Sequence, residues 1–201
     1  GEVDEPNHVH EPDFYDTHQV ELRSGVEVVR VDVAGRAVED AGGASHSYDR
    51  LILATGSTPR RLPVPGGELP GLRTLRTVED SLALRAELTE GAEVVIVGAG
   101  WIGCEVAAAA RRHGASVTVV DPVDLPLRRV LGPRMGEVFR DLHAEHGVTW
   151  RLGIGVDGFT EHGVRLADGG SLTGDVVVVA VGAAPNLELA RDAGLALDGG
   201  G

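Results

Sequence analysis

"AEVVIVGAGWIGCEVAAAARRHGASVTVVD", residues 92–121, opens on an unbroken apolar run and then places Gly98, Gly100 and Gly103 in G-x-G-x-x-G spacing. The run Val94–Val97 reads as a strand buried on both faces. Beyond the glycines, Ile102, Val106 and Ala109/Ala110 recur at helical spacing, and Val117–Val120 reads as a second strand ending on Asp121, 18 residues after Gly103. Strand, tight turn, helix and strand in this order predict a parallel βαβ unit. Each glycine has a physical job in it. Gly98 makes the turn, Gly100 lets the backbone approach a pyrophosphate, and Gly103 lets the helix pack closely on the strand, while the helix N-terminus offers free N–H groups to an anion. Asp121 is placed to accept hydrogen bonds from an adenosine ribose 2′-OH, and its charge would repel a 2′-phosphate. The stretch therefore predicts a dinucleotide site that favours NAD over NADP.

Around this unit the chain continues in the same style. "TVEDSLALRAEL", 77–88, opens with Thr77 and Asp80 in capping-box spacing and predicts a helix. "LGPRMGEVFRDLHAEHG", 131–147, predicts another, amphipathic helix, with Met135, Val138, Phe139 and Leu142 on one face and Gly147 ending it. "RLPVPGGELPGLRTLR", 61–76, carries three prolines and reads as a linker between domains. A parallel sheet flanked by helices is the expected architecture.

The chain also repeats itself. His18, Val20, Arg23, Gly25 and Val28 align with His146, Val148, Arg151, Gly153 and Val156 at a spacing of 128 residues; after a shift of two, Asp49, Ala54, Gly56 and Pro59 align with Asp175, Ala180, Gly182 and Pro185. Each copy reads as a strand, a short meander with Gly-rich turns, and an apolar strand closing on glycine, "YDRLILATG" at 48–56 and "GDVVVVAVG" at 174–182. Two related units follow from this self-similarity. The glycine fingerprint of the first copy would fall before residue 1, so the sequence is expected to begin inside its first nucleotide-binding unit.

Composition narrows the function classes. With 42% apolar and 24% charged residues, the 201-residue chain has globular composition and room for one large domain or two ordinary ones. No apolar run reaches the roughly 18 residues of a membrane span, and "GEVDEPNHVHEPDF" lacks a basic, then apolar leader, so a cytoplasmic protein is expected. All 18 basic residues are Arg, and 31 acids leave a net charge of −13. Nucleic acid and anionic membrane are excluded as expected partners, because both need a basic footprint. Cys104 is the only cysteine, which leaves no internal disulfide, and its place after Gly103 predicts a small buried thiol. His8, His10 and His18 lie in an acidic, Pro-broken stretch without fixed spacing, and no metal is expected. His143 and His146 share a helix end, and Trp101 is expected to pack between helix and sheet.

"YDRLILATGSTPRRLPVPG", "VVIVGAGWIGCEVAAAAR" and "VVVVAVGAAPN" together resemble the FAD-dependent pyridine nucleotide-disulfide oxidoreductase superfamily. Within it, the run Trp101-Ile102-Gly103-Cys104-Glu105 is most similar to the NAD(P)H-dependent ferredoxin and rubredoxin reductases. The resemblance implies an α/β fold in which a Rossmann-like, doubly wound NAD-binding domain interrupts a related FAD-binding domain. On that pattern residues 1–60 are part of the FAD domain, 61–76 the linker, 77–186 the NAD(H) domain and 187–201 the start of the return. It implies NAD(H) contacts at Gly98, Gly100, Trp101, Ile102, Gly103, Glu105, Asp121 and Gly182, with Glu105 beside the nicotinamide. It implies FAD contacts at Ala54, Thr55, Gly56 and Arg60. The implied activity is hydride transfer from NADH to FAD, with electrons passed on to a ferredoxin-type iron–sulfur protein; this stretch alone is expected to be inactive. Nitrite reductase-like and disulfide reductase-like relatives are alternatives. So is a non-catalytic NAD(H)-binding module, against which the repeat argues, since a simple sensor has no need of a second nucleotide unit.

Overall fold

The computed structural model describes residues 9–11 and 13–198, and His8 lies outside them. The chain divides into two units, Gly1–Ser57 with Pro185–Gly201, and Thr58–Ala184. In the first, α1 (Phe14–Thr17) precedes an antiparallel meander of β1 (Val28–Asp32), β2 (Ala37–Asp40) and β3 (Ser45–Ser47). Asp40 closes the β2–β3 turn by accepting the Ala44 N–H at 3.0 Å and the His46 Nε2–H at 2.8 Å. The His46 bond, then that of Ala44, holds its carboxyl below the usual carboxylate range. His10 and His18 stack on either face of Phe14, with ring centroids 3.7 and 4.2 Å away, which separates the two imidazoles. Among the described residues, no group of three His, Cys, Asp or Glu side chains is placed to hold a metal.

Residues 51–56, expected as a buried strand, form none, and Ile52 is 89% exposed. A strand needs a ladder partner, and within this unit β1–β3 pair only with one another. Among the described residues of this unit, the apolar run 51–56 has no ladder partner.

The chain continues through β4 (Ser57–Pro59), β5 (Leu72–Arg73), α2 (Val78–Glu87), β6 (Glu93–Val97), α3 (Trp101–Arg112), β7 (Ser116–Asp121), α4 (Arg128–Glu145) and β8 (Val148–Leu152). A second meander follows, β9 (Val156–Thr160), β10 (Gly163–Leu166) and β11 (Ser171–Thr173), then β12 (Val176–Val179), β13 (Ala183–Pro185) and α5 (Glu188–Asp192). The centre of the second unit is an all-parallel sheet in the order β5-β12-β6-β7-β8. Alternation along its strands splits the core in two. Val94, Ile96, Val117, Val119, Val176 and Val178 face α2 and α3, meeting Leu84, Val106, Ala107 and Ala110. Val95, Val97, Val120, Val177 and Val179 face the opposite way onto Phe159, Val164 and Leu166 of the second meander. One face of the parallel sheet thus carries helices, while a small antiparallel sheet covers the other in place of a second helical layer.

Three expectations change in this unit. Residues 61–76 are built into it instead of linking domains: Leu72–Arg73 is the edge strand β5, and Leu62, Val64 and Leu69 pack on the meander-side core. Gly66 lies so close that an added Cβ would sit 2.3 Å from the Phe159 carbonyl. Second, α4 begins at Arg128 and kinks at Gly132 (φ 79°) before Pro133, and it buries Gly136 and His143 while Met135, Val138 and Leu142 stay exposed. Gly136 draws that side of the helix inward, since its missing Cβ would lie 2.9 Å from the Pro126 carbonyl. Third, Trp101 is 47% exposed and meets Phe139 edge to face at 6.0 Å, outside the helix–sheet layer. The Thr77–Asp80 capping box forms as expected, each residue's side chain accepting from the other's backbone N–H. Among the described residues no helix is long and apolar enough to cross a membrane.

The repeat is visible in the elements themselves. β9 begins 128 residues after β1, whereas β10, β11 and β13 each begin 126 residues after β2, β3 and β4. The shift of two arises in the first turn of the meander, residues 33–36 in one copy and 161–162 in the other.

Candidate functional site at the C-terminal ends of β6, β7 and β12

The parallel strands end together at the loop that leads into α3. Gly98 has φ +111°, and a Cβ there would lie 2.3 Å from the Ala180 carbonyl beyond β12. At Gly103 a Cβ would come within 1.9 Å of the Gly98 carbonyl, so only glycine lets α3 lie against the end of β6. Gly100, the N-cap of α3, is different. Nothing lies within 4 Å of where its Cβ would stand. Two glycines are thus walled in by backbone, and the one between them faces open space at a helix N-terminus whose first N–H groups have no intrahelical acceptor.

Asp121, at the end of β7, holds this loop. Its Oδ2 accepts the Ala99 N–H and its Oδ1 the Val123 N–H, both at 2.7 Å. From the other side Leu127 donates its N–H to the Ala99 carbonyl at 3.0 Å, and Gly98 donates to Val120 O at 2.8 Å. Ala99 is therefore clamped at both its backbone groups by the β7–α4 connection. Each Asp121 oxygen keeps a lone pair for a ligand hydroxyl. Residue type alone did not reveal the Ala99 clamp; the acid at the strand end was its only sequence trace.

Trp101 and Ile102 are exposed on the first turn of α3, and Glu105 is exposed on the next. Gly182 (φ +99°) lies past β12, where Arg60 donates its backbone N–H to Gly182 O at 2.9 Å and its Nε–H to Ala183 O at 3.1 Å. Thr55 and Gly56, in the other unit, are held by Asn186, which sequence reading passed over: its N–H reaches Gly56 O at 3.0 Å and its Nδ2 the Thr55 carbonyl at 2.9 Å. Ala54 is exposed beside them.

Cys104 sits under the loop, 3% exposed, its Sγ toward the Ala99 carbonyl. Burial, aided by the charges of Asp121 and Glu105, pushes its thiol from 9.0 up to about 11. His143 of α4 packs there as well, with Nδ1 2.9 Å from Phe139 O and Nε2 3.2 Å from Cys104 O. Because the folded chain resists ionising Cys104, its contribution to stability is intact below pH 9 and is lost as pH rises from there through 11. Urea unfolding at pH 8 and pH 10.5 should show this fall, and Cys104→Ala should remove that part of it. A thiol reagent at pH 8 should label the native chain far more slowly than the unfolded one.

A parallel sheet with a glycine-rich turn at its carboxyl edge defines an α/β protein of the Rossmann type. Residues 2–201 match the pyridine nucleotide-disulphide oxidoreductase family, and the chain belongs to it. It is 43% identical over 193 residues to rhodocoxin reductase of Rhodococcus erythropolis, covering 93% of this chain and 45% of that protein. It is 41% identical over 204 residues to the benzene 1,2-dioxygenase system ferredoxin–NAD(+) reductase subunit of Pseudomonas putida, covering 100% and 50%. Among solved structures, that of a covalent putidaredoxin reductase–putidaredoxin complex matches at TM-score 0.88 and 36% identity, over 94% of this chain and 48% of that one. The chain spans about half the length of the curated relatives it matches.

Proposed function

We propose that the protein is a flavoprotein oxidoreductase that takes a hydride from NADH and passes electrons to a ferredoxin-type iron–sulfur protein, as the names of its relatives suggest. The observation that carries the reading is the contrast among the three glycines, since only Gly100 faces free space, at the helix N-terminus where a pyrophosphate would lie. In this reading Thr58–Ala184 is the NAD(H) unit, and Gly1–Ser57 with Pro185–Gly201 is part of an FAD domain. A cytoplasmic location goes with it.

The residues present fit a dinucleotide. Gly98 and Gly103 fix the loop, the N–H groups opening α3 bind the pyrophosphate, and Asp121 accepts from the adenosine ribose hydroxyls. Glu105 orients the carboxamide of the nicotinamide, and Gly182, followed by the small Ala183 and Ala184, admits the ring to close backbone approach. Trp101 and Ile102 flank the entry. In the other unit Ala54, Thr55 and Gly56 would meet FAD, with Arg60 close in sequence. Bound flavin supplies the conversion of a two-electron hydride into single electrons. The protein's own part is position: it binds and orients the nucleotide.

NADH should quench Trp101 fluorescence saturably and bind more tightly than NADPH, because a 2′-phosphate would meet the Asp121 carboxylate. Trp101→Phe should remove most of the signal, since Trp101 is exposed on the first turn of α3 whereas Trp150 lies on β8. Equal binding of NADH and NADPH, or of neither, would refute the assignment. Release of flavin into the supernatant on denaturation would check the FAD part.

A further inference from the structure

The repeat register has a consequence at Arg60 and Asn186. In the 126-residue register that relates β2 to β10 and β4 to β13, Gly56 aligns with Gly182, Pro59 with Pro185 and Arg60 with Asn186. Each residue of this last pair bonds to the glycine of the other copy. Arg60, from the first copy, donates its N–H to Gly182 O and its Nε–H to Ala183 O, both in the second. Asn186, from the second copy, donates its N–H to Gly56 O and its Nδ2–H to Thr55 O, both in the first, and its own carbonyl accepts the Thr55 hydroxyl at 2.6 Å. Each set of bonds lies within one unit, because the chain changes unit between the glycine and the residue that follows the proline.

The arrangement matters because of the backbone it holds. Gly56 and Gly182 have φ of +71° and +99°, where a glycine peptide has wide freedom and its carbonyl can turn. One residue that donates from both backbone and side chain to consecutive carbonyls selects a single orientation. We propose that Arg60 and Asn186 are equivalent positioning residues, one per copy, each fixing the glycine that closes the other copy's strand. Arg60 then sets the Gly182–Ala183 backbone at the nicotinamide end of the site, and Asn186 sets Thr55–Gly56. The first assignment rests on the reading of the glycine loop as an NAD(H) site.

The test compares NADH with ADP-ribose, which lacks the nicotinamide, on the wild-type chain and on Arg60→Leu and Arg60→Lys. Arg60→Leu should weaken NADH about tenfold, the scale of one lost hydrogen bond to a charged donor, while ADP-ribose stays within about twofold; Arg60→Lys, which keeps a donor, should recover most of the loss. Equal weakening of both ligands, or of neither, would overturn the positioning role. Failure of the wild type to bind ADP-ribose at all would instead sink the site reading itself. Amide hydrogen exchange tests the crossed assignment independently of any ligand. Asn186→Leu should speed exchange about tenfold at residues 55–57 and 186 and leave 182–184 unchanged, and Arg60→Leu should do the reverse. Exchange rising at both places in either variant would mean general loosening and refute the pairing.

Discussion

Gly103→Ala should cost about 3 kcal/mol or more of stability, the upper range for forcing a group into a filled space, and should abolish NADH binding. The added methyl would stand 1.9 Å from the Gly98 carbonyl and 3.5 Å from Ile96 Cγ2, so α3 must move off the sheet to admit it. That movement is resisted, because the inner side of α3, Cys104, Val106, Ala107 and Ala110, is fully packed. For a chain of this length the loss corresponds to about 6–12 °C in Tm. Gly100→Ala is the informative contrast. Its methyl meets nothing within 4 Å, and its φ of −82° suits any residue, so stability should fall by about 1 kcal/mol at most, the difference between glycine and alanine at an N-cap. Its NADH affinity should nevertheless drop at least about tenfold, because the methyl takes the space the pyrophosphate needs. Thermal unfolding and nucleotide titration of the two variants check this. Unchanged NADH binding in Gly100→Ala would mean that the open face of the loop does not receive the ligand.

What the sequence made legible follows from how local each signal is. The β6–α3–β7 unit was readable because its apolar runs, glycines and terminal acid all act within thirty residues, and the structure places each glycine where its job requires. The Thr77 cap was readable for the same reason. Residues 61–76 were misread because proline and glycine mark the absence of regular structure, not the absence of packing; Leu62, Val64, Leu69 and Leu72 carry the packing. The buried side of α4 was not legible because apolar spacing names a stripe but does not say which side a neighbour approaches. Gly136, small enough to pass Leu125 and Pro126, decided that instead. The Asn186 clamp joins residues 131 apart, a distance over which spacing rules are silent. Only the repeat register ties it to Arg60.

Asp121→Ala should raise the NADH dissociation constant about a hundredfold without turning the site toward NADPH, because the variant loses two kinds of hydrogen bond at once. The ribose loses its acceptor, and the half-buried N–H groups of Ala99 and Val123 lose theirs. Freed of Asp121, Ala99 keeps the Leu127 N–H and the Cys104 thiol on its carbonyl but no acceptor for its own N–H, so the loop that presents the pyrophosphate donors is held from one side. Removing the negative charge relieves the repulsion of a 2′-phosphate, but a loosened loop binds the rest of either nucleotide less well. Stability should fall with it, by about 2–3 kcal/mol for two bonds to a carboxylate. Asp121→Asn separates the two effects. Its one carbonyl oxygen can satisfy Ala99 or Val123 but not both, since its amide nitrogen offers a donor to the other N–H. It should therefore fall between wild type and Asp121→Ala in stability and in NADH affinity alike. Parallel titrations with NADH and NADPH, with urea unfolding on the same samples, decide the matter. If Asp121→Ala binds NADPH as tightly as the wild type binds NADH, with stability unchanged, the carboxylate only repels phosphate and the loop holds itself.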